Sequence, residues 1–189
     1  EKHYIGHGIT EGGLNMGRNL VTERELREVH GKPFQAAITE AGLGSVMSSY
    51  WSMNGEPVSG SRKLLTDLLR GEMGFQGIVV SDYVAVDRLV DPFQVAADYT
   101  EAGIRSLKAG LDVEYPRPKG FSYQMKEAVE DGRLSMADID QAVERVLTQK
   151  IKLGLFEDPY PHLDRLKALL HQKSTDELNE KMALESFIL

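Results

Sequence analysis

Hydrophobic positions along this chain follow two rhythms. Short, nearly continuous apolar runs occur at 45–50 (SVMSSY), 78–83 (IVVSDY) and 111–115 (LDVEY), each starting 33 residues after the one before. They are too short for helices and read as buried strands. Between them, apolar residues recur at helical spacing. Ser61, Leu64, Leu65, Leu68 and Leu69 mark one short helix. Asp91-Pro92 offers an N-cap followed by a proline suited to the first helical position; Val95, Ala96, Tyr99, Ala102 and Leu107 come next, with Gly110 as the stop. Strands alternating with helices predict βαβ units and a parallel sheet. A period of this length also marks solenoids, but the repeats share little sequence, so that architecture is set aside.

The flanking helices carry their own signals. Thr22 with Glu25 is a capping-box pattern opening a helix over 23–30, and Pro33 is expected to break or kink the chain after it. Ser135 opens the longest helix, with an apolar stripe of Ile139, Ala142, Val143, Val146, Leu147 and Ile151 and a stop at Gly154. Asp158-Pro159-Tyr160-Pro161 is a turn, and Ser174 with Glu177 is a second box before a last helix. A complete (β/α)8 barrel needs about 250 residues. This chain has 189, with three clear strands and the stump of a fourth at Lys2–Tyr4. The predicted fold is α/β: a partial (β/α)8 TIM-like barrel of parallel strands alternating with helices, missing its first strands. The rival, a doubly wound open sheet, lacks its glycine-rich turn, since Gly6-His7-Gly8 does not have the G-x-G-x-x-G spacing.

Composition narrows the function. With 22 Lys+Arg against 29 Asp+Glu the formal charge is −7, which argues against nucleic-acid and anionic-membrane partners. The absence of cysteine excludes disulfides, thiolate metal sites and a cysteine nucleophile. No apolar run approaches the roughly 20 residues that span a bilayer. The chain is expected to continue beyond Glu1 and beyond Phe187-Ile188-Leu189, an apolar end without a polar tail. The compartment stays open, cytoplasmic by default and secreted if a leader precedes Glu1. An oligomer is compatible with this composition.

In a parallel α/β fold, chemistry gathers where strands end. Those ends hold Lys2 and His3, Tyr50, Asp82, and then Asp112 and Glu114. Asp82 closes an apolar strand, where a charge is costly unless it is paired or functional. Its position leaves two readings, a nucleophilic carboxylate or a helix N-cap. Lys2 and His3 read as ligands of substrate hydroxyls or as solvated loop residues, and His7 as a site residue or loop decoration. Tyr50 reads as a partner for a carboxylate or an ordinary buried tyrosine, and Trp51 as a sugar platform or core. Asp112 and Glu114 flank Val113 and are expected on one face, at the pocket or bonded to backbone at the rim. Glu11, Arg18 and Glu56 read as surface residues. Neither His3 nor His7 has a metal-ligand context.

Taken in order, these segments resemble glycoside hydrolase family 3. Lys2-His3-Tyr4-Ile5-Gly6-His7-Gly8 with Gly12-Gly13-Leu14-Asn15 is similar to its Lys-His-Phe-x-Gly-His-Gly segment. Val46–Tyr50 with Asn54-Gly55-Glu56-Pro57 is similar to its next strand and loop, and Gly74–Tyr83 to its nucleophile region. Ala109–Glu114, Ile139–Val143 and Lys152–Phe156 complete the series.

The resemblance implies a barrel-domain segment over 1–172 and a helical linker over 173–189 toward a second α/β domain. It implies Asp82 as the nucleophile, and Lys2, His3 and Tyr50 as substrate-binding residues. The implied activity is a retaining β-glycosidase, β-glucosidase first and β-xylosidase next, acting on small oligosaccharides or aryl and alkyl β-glycosides. No metal or organic cofactor is implied. The loop Ile9–Gly13 lacks the Asp-x-His acid/base element of the single-domain branch, so the acid is expected from the second domain and the isolated chain is expected to be nearly inactive. Alternatives on the same scaffold are a phosphorylase or a carbohydrate-binding fragment without catalysis. Trp51 stands where many members have Asn, which sets that pocket wall apart.

Overall fold

The computed structural model describes residues 1–170 and 172–188. Among these residues the strands are short: β1 (Arg18–Asn19), β2 (Ser45–Met47), β3 (Ser52–Met53), β4 (Glu56–Pro57) and β5 (Ile78–Val80). β2 and β5 pair in parallel, with Ser45 opposite Ile78 and Met47 opposite Val80. Parallel bridges extend this pair on both sides, Tyr4 to Ser48 and Val80 to Val113. Four parallel segments thus lie side by side in chain order, with helices in the crossovers. The fold is the α/β, TIM-like barrel architecture that the alternating pattern predicts.

The regular strands are shorter than the apolar runs. Beyond Met47 and Val80 the chain still bonds its neighbours, Ser48 N–H to Val80 O (2.9 Å) and Ser81 N–H to Val113 O (2.8 Å), and then peels away into loops. The Leu111–Tyr115 strand contracts to a bridge because a side chain takes part of its ladder. Asp112 Oδ2 accepts the Val79 N–H at 2.8 Å.

The helix Lys63–Glu72 buries Leu64, Leu65, Leu68 and Leu69 against the sheet. Tyr4 is buried, and its hydroxyl donates to the Leu64 carbonyl at 3.0 Å, tying the first parallel segment to this helix. Burial raises the Tyr4 pKa far above the ordinary phenol value. Val46, Val79, Leu111, Phe75 and Trp51 fill the same core.

Three local expectations are corrected. No helix starts at Asp91-Pro92; it spans Tyr99–Ala109 with Asp98 as its N-cap. Asp98 Oδ1 accepts the Glu101 N–H (2.8 Å) while Glu101 Oε2 accepts the Ala97 N–H (2.7 Å). This reciprocal box satisfies two orphan donors, which Asp91 does not. Pro33 does not break a helix but sits in the first turn of Lys32–Ala41, directly after the turn Leu26–His30. The Ser174–Glu177 box is not used: the helix Lys173–Glu185 is already under way at Ser174, and Glu177 pairs with Lys173 (3.5 Å). The Thr22 cap does form, accepting the Glu25 N–H at 3.2 Å.

The chain divides into two compact units, Glu1–Gln149 and Lys150–Leu189. The expected barrel segment 1–172 includes His171, and the expected cut falls at Leu189; both residues lie outside the described ones. In the first unit, the stripe of the helix Met136–Lys152 buries Ala142 but leaves Val143 and Leu147 exposed. These line an apolar hollow of about 390 Å³ together with Leu107, Val113, Phe121 and Met125. In the second unit, Asp158 in the predicted turn bonds His162 at 2.7 Å.

Candidate active site

The loops leaving the parallel segments converge beside Asp82. Asp82 is only 8% exposed. Its Oδ1 accepts the N–H of Tyr83 (2.7 Å), and its Oδ2 lies 3.2 Å from His3 Nε2. It caps no helix: the next helical turn, Asp87–Leu89, begins after Val86 without a side-chain cap. The N-cap reading is therefore excluded. A carboxylate is held at the end of a buried strand with one oxygen fixed by backbone and the other facing an imidazole.

Tyr50 reaches the same place from the neighbouring strand. Its hydroxyl donates to the Tyr83 carbonyl at 2.8 Å, and the Asp82 carboxylate lies beside it. Burial first, then the hydrogen bond and charge of Asp82, push the phenol up to about 12, partly opposed by Arg88. The hydroxyl therefore remains a donor at neutral pH.

His3 stacks on His7, with ring centroids 4.3 Å apart. Burial lowers its pKa from 6.5; His7 and Lys2 act in the same direction, and Asp82 opposes them. A neutral His3 can donate Nε2–H to Asp82. The unfolded chain takes up this proton more readily than the folded one. The contribution of His3 to stability is thus present above about pH 6.5 and is lost as pH falls through the lower folded-state pKa. Urea midpoints measured across that range are expected to fall with pH in the wild type and less steeply in His3→Gln. Parallel curves would assign the acid sensitivity to other groups.

Lys2 is exposed and lines, with His3, His7, His30 and Phe34, an open cavity of about 310 Å³. The structure thus brings His3, Tyr50 and Asp82 together and leaves Lys2 on their flank, without a contact to Asp82.

The other candidates are engaged elsewhere. Trp51 is fully buried beneath Gly6, where a Cβ would stand 3.0 Å from the indole, so it is core and not a sugar platform. Asp112 is neutralised by Arg70 (2.6 Å) and Arg145 (2.9 Å). Glu114 accepts backbone N–H groups from Lys119, Gly120 and Phe121, which is the rim-binding reading of that residue. Glu11 pairs with Arg18 on the surface. Glu56 is half-buried and bonds Ser61 (3.0 Å) and Arg105 (3.3 Å). Arg88 is a neighbour that the sequence pattern does not mark. Its charge acts on Tyr50, and its buried Nε has no hydrogen-bond partner among the described residues, yet it sits in a short turn, Asp87–Leu89, within a mostly apolar stretch that gives no reason to single it out. The apolar hollow along the helix Met136–Lys152 does not include Asp82, and Asp112, the titratable group on its wall, is ion-paired.

A family model for the glycosyl hydrolase family 3 N terminal domain matches residues 1–149. The chain belongs to glycosyl hydrolase family 3. It is 41% identical over 162 residues to a beta-xylosidase of Formosa agariphila, covering 82% of this chain and 22% of that protein. Among solved structures, a β-glucosidase from Erythrobacter marinus superposes with a TM-score of 0.90 at 36% identity, covering 98% of this chain and 24% of that one. The beta-glucosidase from Listeria innocua in complex with glucose gives 0.84 at 37% identity, covering 92% and 24%. This family 3 chain therefore spans about a quarter of the length of these relatives.

Proposed function

We propose that the intact protein carrying this chain is a retaining β-glycosidase that releases terminal, non-reducing β-linked sugars, glucose first and xylose second. The observation that carries this reading is the Asp82 carboxylate held between His3 and Tyr50 at the end of a buried parallel strand. The relatives named as β-glucosidases and a β-xylosidase support the substrate class.

This reading implies a two-step, double-displacement chemistry. One Asp82 oxygen attacks the anomeric carbon as the bond to the leaving oxygen breaks and a general acid supplies that oxygen with a proton. Water then attacks the same carbon, gives its proton to the conjugate base of that acid, and the ester bond to Asp82 breaks. The Tyr83 N–H and the His3 ring orient the carboxylate before attack. Lys2 presents donors to sugar hydroxyls, and His3, whose one N–H is on Asp82, can accept from a sugar hydroxyl through Nδ1. Asp112 and Glu114 are committed to internal partners, so the acid comes from elsewhere in the intact protein.

The test is incubation of the intact protein with an activated fluorosugar, followed by peptide mapping. Covalent sugar is expected on Asp82, alongside steady hydrolysis of an aryl β-glucoside or β-xyloside. Label on another residue would overturn the assignment, and turnover that depends on added phosphate would identify a phosphorylase.

A further inference from the structure

Glu114 is a buried carboxylate with no part in the proposed chemistry, yet it is among the most thoroughly satisfied groups beside the site. Its side chain accepts three main-chain N–H groups, Oε1 from Lys119 (3.2 Å) and Gly120 (3.1 Å), Oε2 from Phe121 (2.6 Å). These charge-assisted bonds fold 115–121 into a closed loop.

The loop is fastened to the segment that carries Asp82. Ser81 Oγ accepts the Tyr115 N–H (2.8 Å), and the Tyr115 carbonyl accepts the Val84 N–H (2.9 Å). Lys119 pairs with Asp87 at 2.6 Å. Gly120 sits so close to Gly103 that a Cβ on Gly103 would lie 2.3 Å from the Gly120 carbonyl oxygen. The segment held this way is strained: Val84 has φ of 56°. A β-branched residue seldom adopts that region, and it persists there only when its surroundings over-determine it.

We propose that Glu114 is a positioning residue for Asp82: it shapes 115–121 into a strap that holds Val84 left-handed and so fixes the backbone around the nucleophile. This rests on the reading of Asp82 as nucleophile. Tyr83 is the transmitting residue. Its N–H bonds Asp82 and its carbonyl takes the Tyr50 hydroxyl. If Val84 relaxes to negative φ, the Tyr83–Val84 peptide rotates, which moves the carbonyl that takes the Tyr50 hydroxyl and loosens the hold on Tyr83, whose N–H bonds Asp82.

The experiment is a double-mutant cycle in the intact protein, with wild type, Glu114→Ala, Val84→Gly and the double variant, and with Glu114→Gln added. The readouts are kcat, KM, the rate of fluorosugar labelling at Asp82, and hydrogen exchange of the Val84 amide. Glu114→Ala is expected to slow labelling and kcat about tenfold with a smaller change in KM, because misplacing a reacting group costs rate more than binding. Glu114→Gln keeps one acceptor oxygen and should lie between. Glycine adopts positive φ without strain, so in the Val84→Gly background the same loss should shrink to about threefold or less. Unchanged exchange at Leu65 and Leu69 verifies that each variant is folded. Equal losses in both backgrounds, or unchanged Val84 exchange in Glu114→Ala, overturn the proposal. If the wild type neither turns over nor labels, the glycosidase reading falls instead, and faster Val84 exchange in Glu114→Ala still supports the strap.

Discussion

Asp82→Ala in the intact protein is expected to lower turnover of an aryl β-glycoside by about 10⁴-fold or more, since the proposed role of this carboxylate is to attack and to carry the ester. Asp82→Asn is the sharper test. Its amide oxygen can still accept the Tyr83 N–H that Asp82 Oδ1 accepts at 2.7 Å, so the local backbone should be retained while the anionic nucleophile is lost. Its exposure of 8% means the carboxylate is already removed from most of its water, so attack does not first require stripping a full hydration shell. A wild-type kcat in Asp82→Asn, with an intact far-UV spectrum and unchanged thermal midpoint, would refute the nucleophile assignment.

The parallel frame is legible in the sequence because Ile78-Val79-Val80 and Ser45-Val46-Met47 are short apolar runs with turn signals around them, and such runs have few other places to go. The runs overstate the strand ends, since Tyr50 and Asp82 look strand-like although the backbone ladder to the neighbouring segments ends at Ser49 and Ser81. The Asp91 start fails because the helix begins at the Asp98–Glu101 pair, a capping signal that the sequence-based expectation leaves out and the packed structure reveals. The hairpin of β3 and β4 has a local mark in Asn54-Gly55, whose φ values of 52° and 81° are those of a tight two-residue turn, although the strands on either side are too short for alternation to reveal them. In the site, Asp82 stands out as a charge after an apolar strand. His3 and Tyr50 need the family resemblance, because periodicity does not reveal which loops meet. The bonds of Glu114 and the buried pairing of Asp112 with Arg70, 42 residues apart, have no sequence pattern at all.

That pairing carries the largest expected effect on stability. The Asp112 side chain is fully buried and accepts from Arg70 (2.6 Å), Arg145 (2.9 Å) and the Val79 N–H (2.8 Å). Arg70 in turn donates to the carbonyls of Gly77 (2.9 Å) and Gly110 (3.2 Å), so one guanidinium joins the helix Lys63–Glu72 to the starts of two parallel segments. Burial lowers the Arg70 pKa, Asp112 opposes that shift, and Arg145 adds to it, so the two arginines repel each other across the aspartate. Asp112→Ala removes the counter-charge and leaves both cations facing a cavity, with the Val79 N–H unpaired in the ladder. Breaking a buried pair from one side costs about 3–5 kcal/mol, a large share of the roughly 5–15 kcal/mol that holds a domain together. Asp112→Asn keeps acceptor capacity without the charge, and a loss of about 1.5–3 kcal/mol is expected. Urea midpoints of the intact protein should rank in that order. Exchange of the Val79 and Val80 amides should quicken in both variants, even where the rest of the protein remains folded. Joint replacement of Asp112, Arg70 and Arg145 by apolar residues of similar volume should recover much of the loss, because no charge is then left buried. If Asp112→Ala unfolds at the wild-type midpoint with unchanged Val79 exchange, the network contributes packing and not charge. The strand that presents Asp82 three residues beyond Val79 would then be held by its apolar neighbours alone.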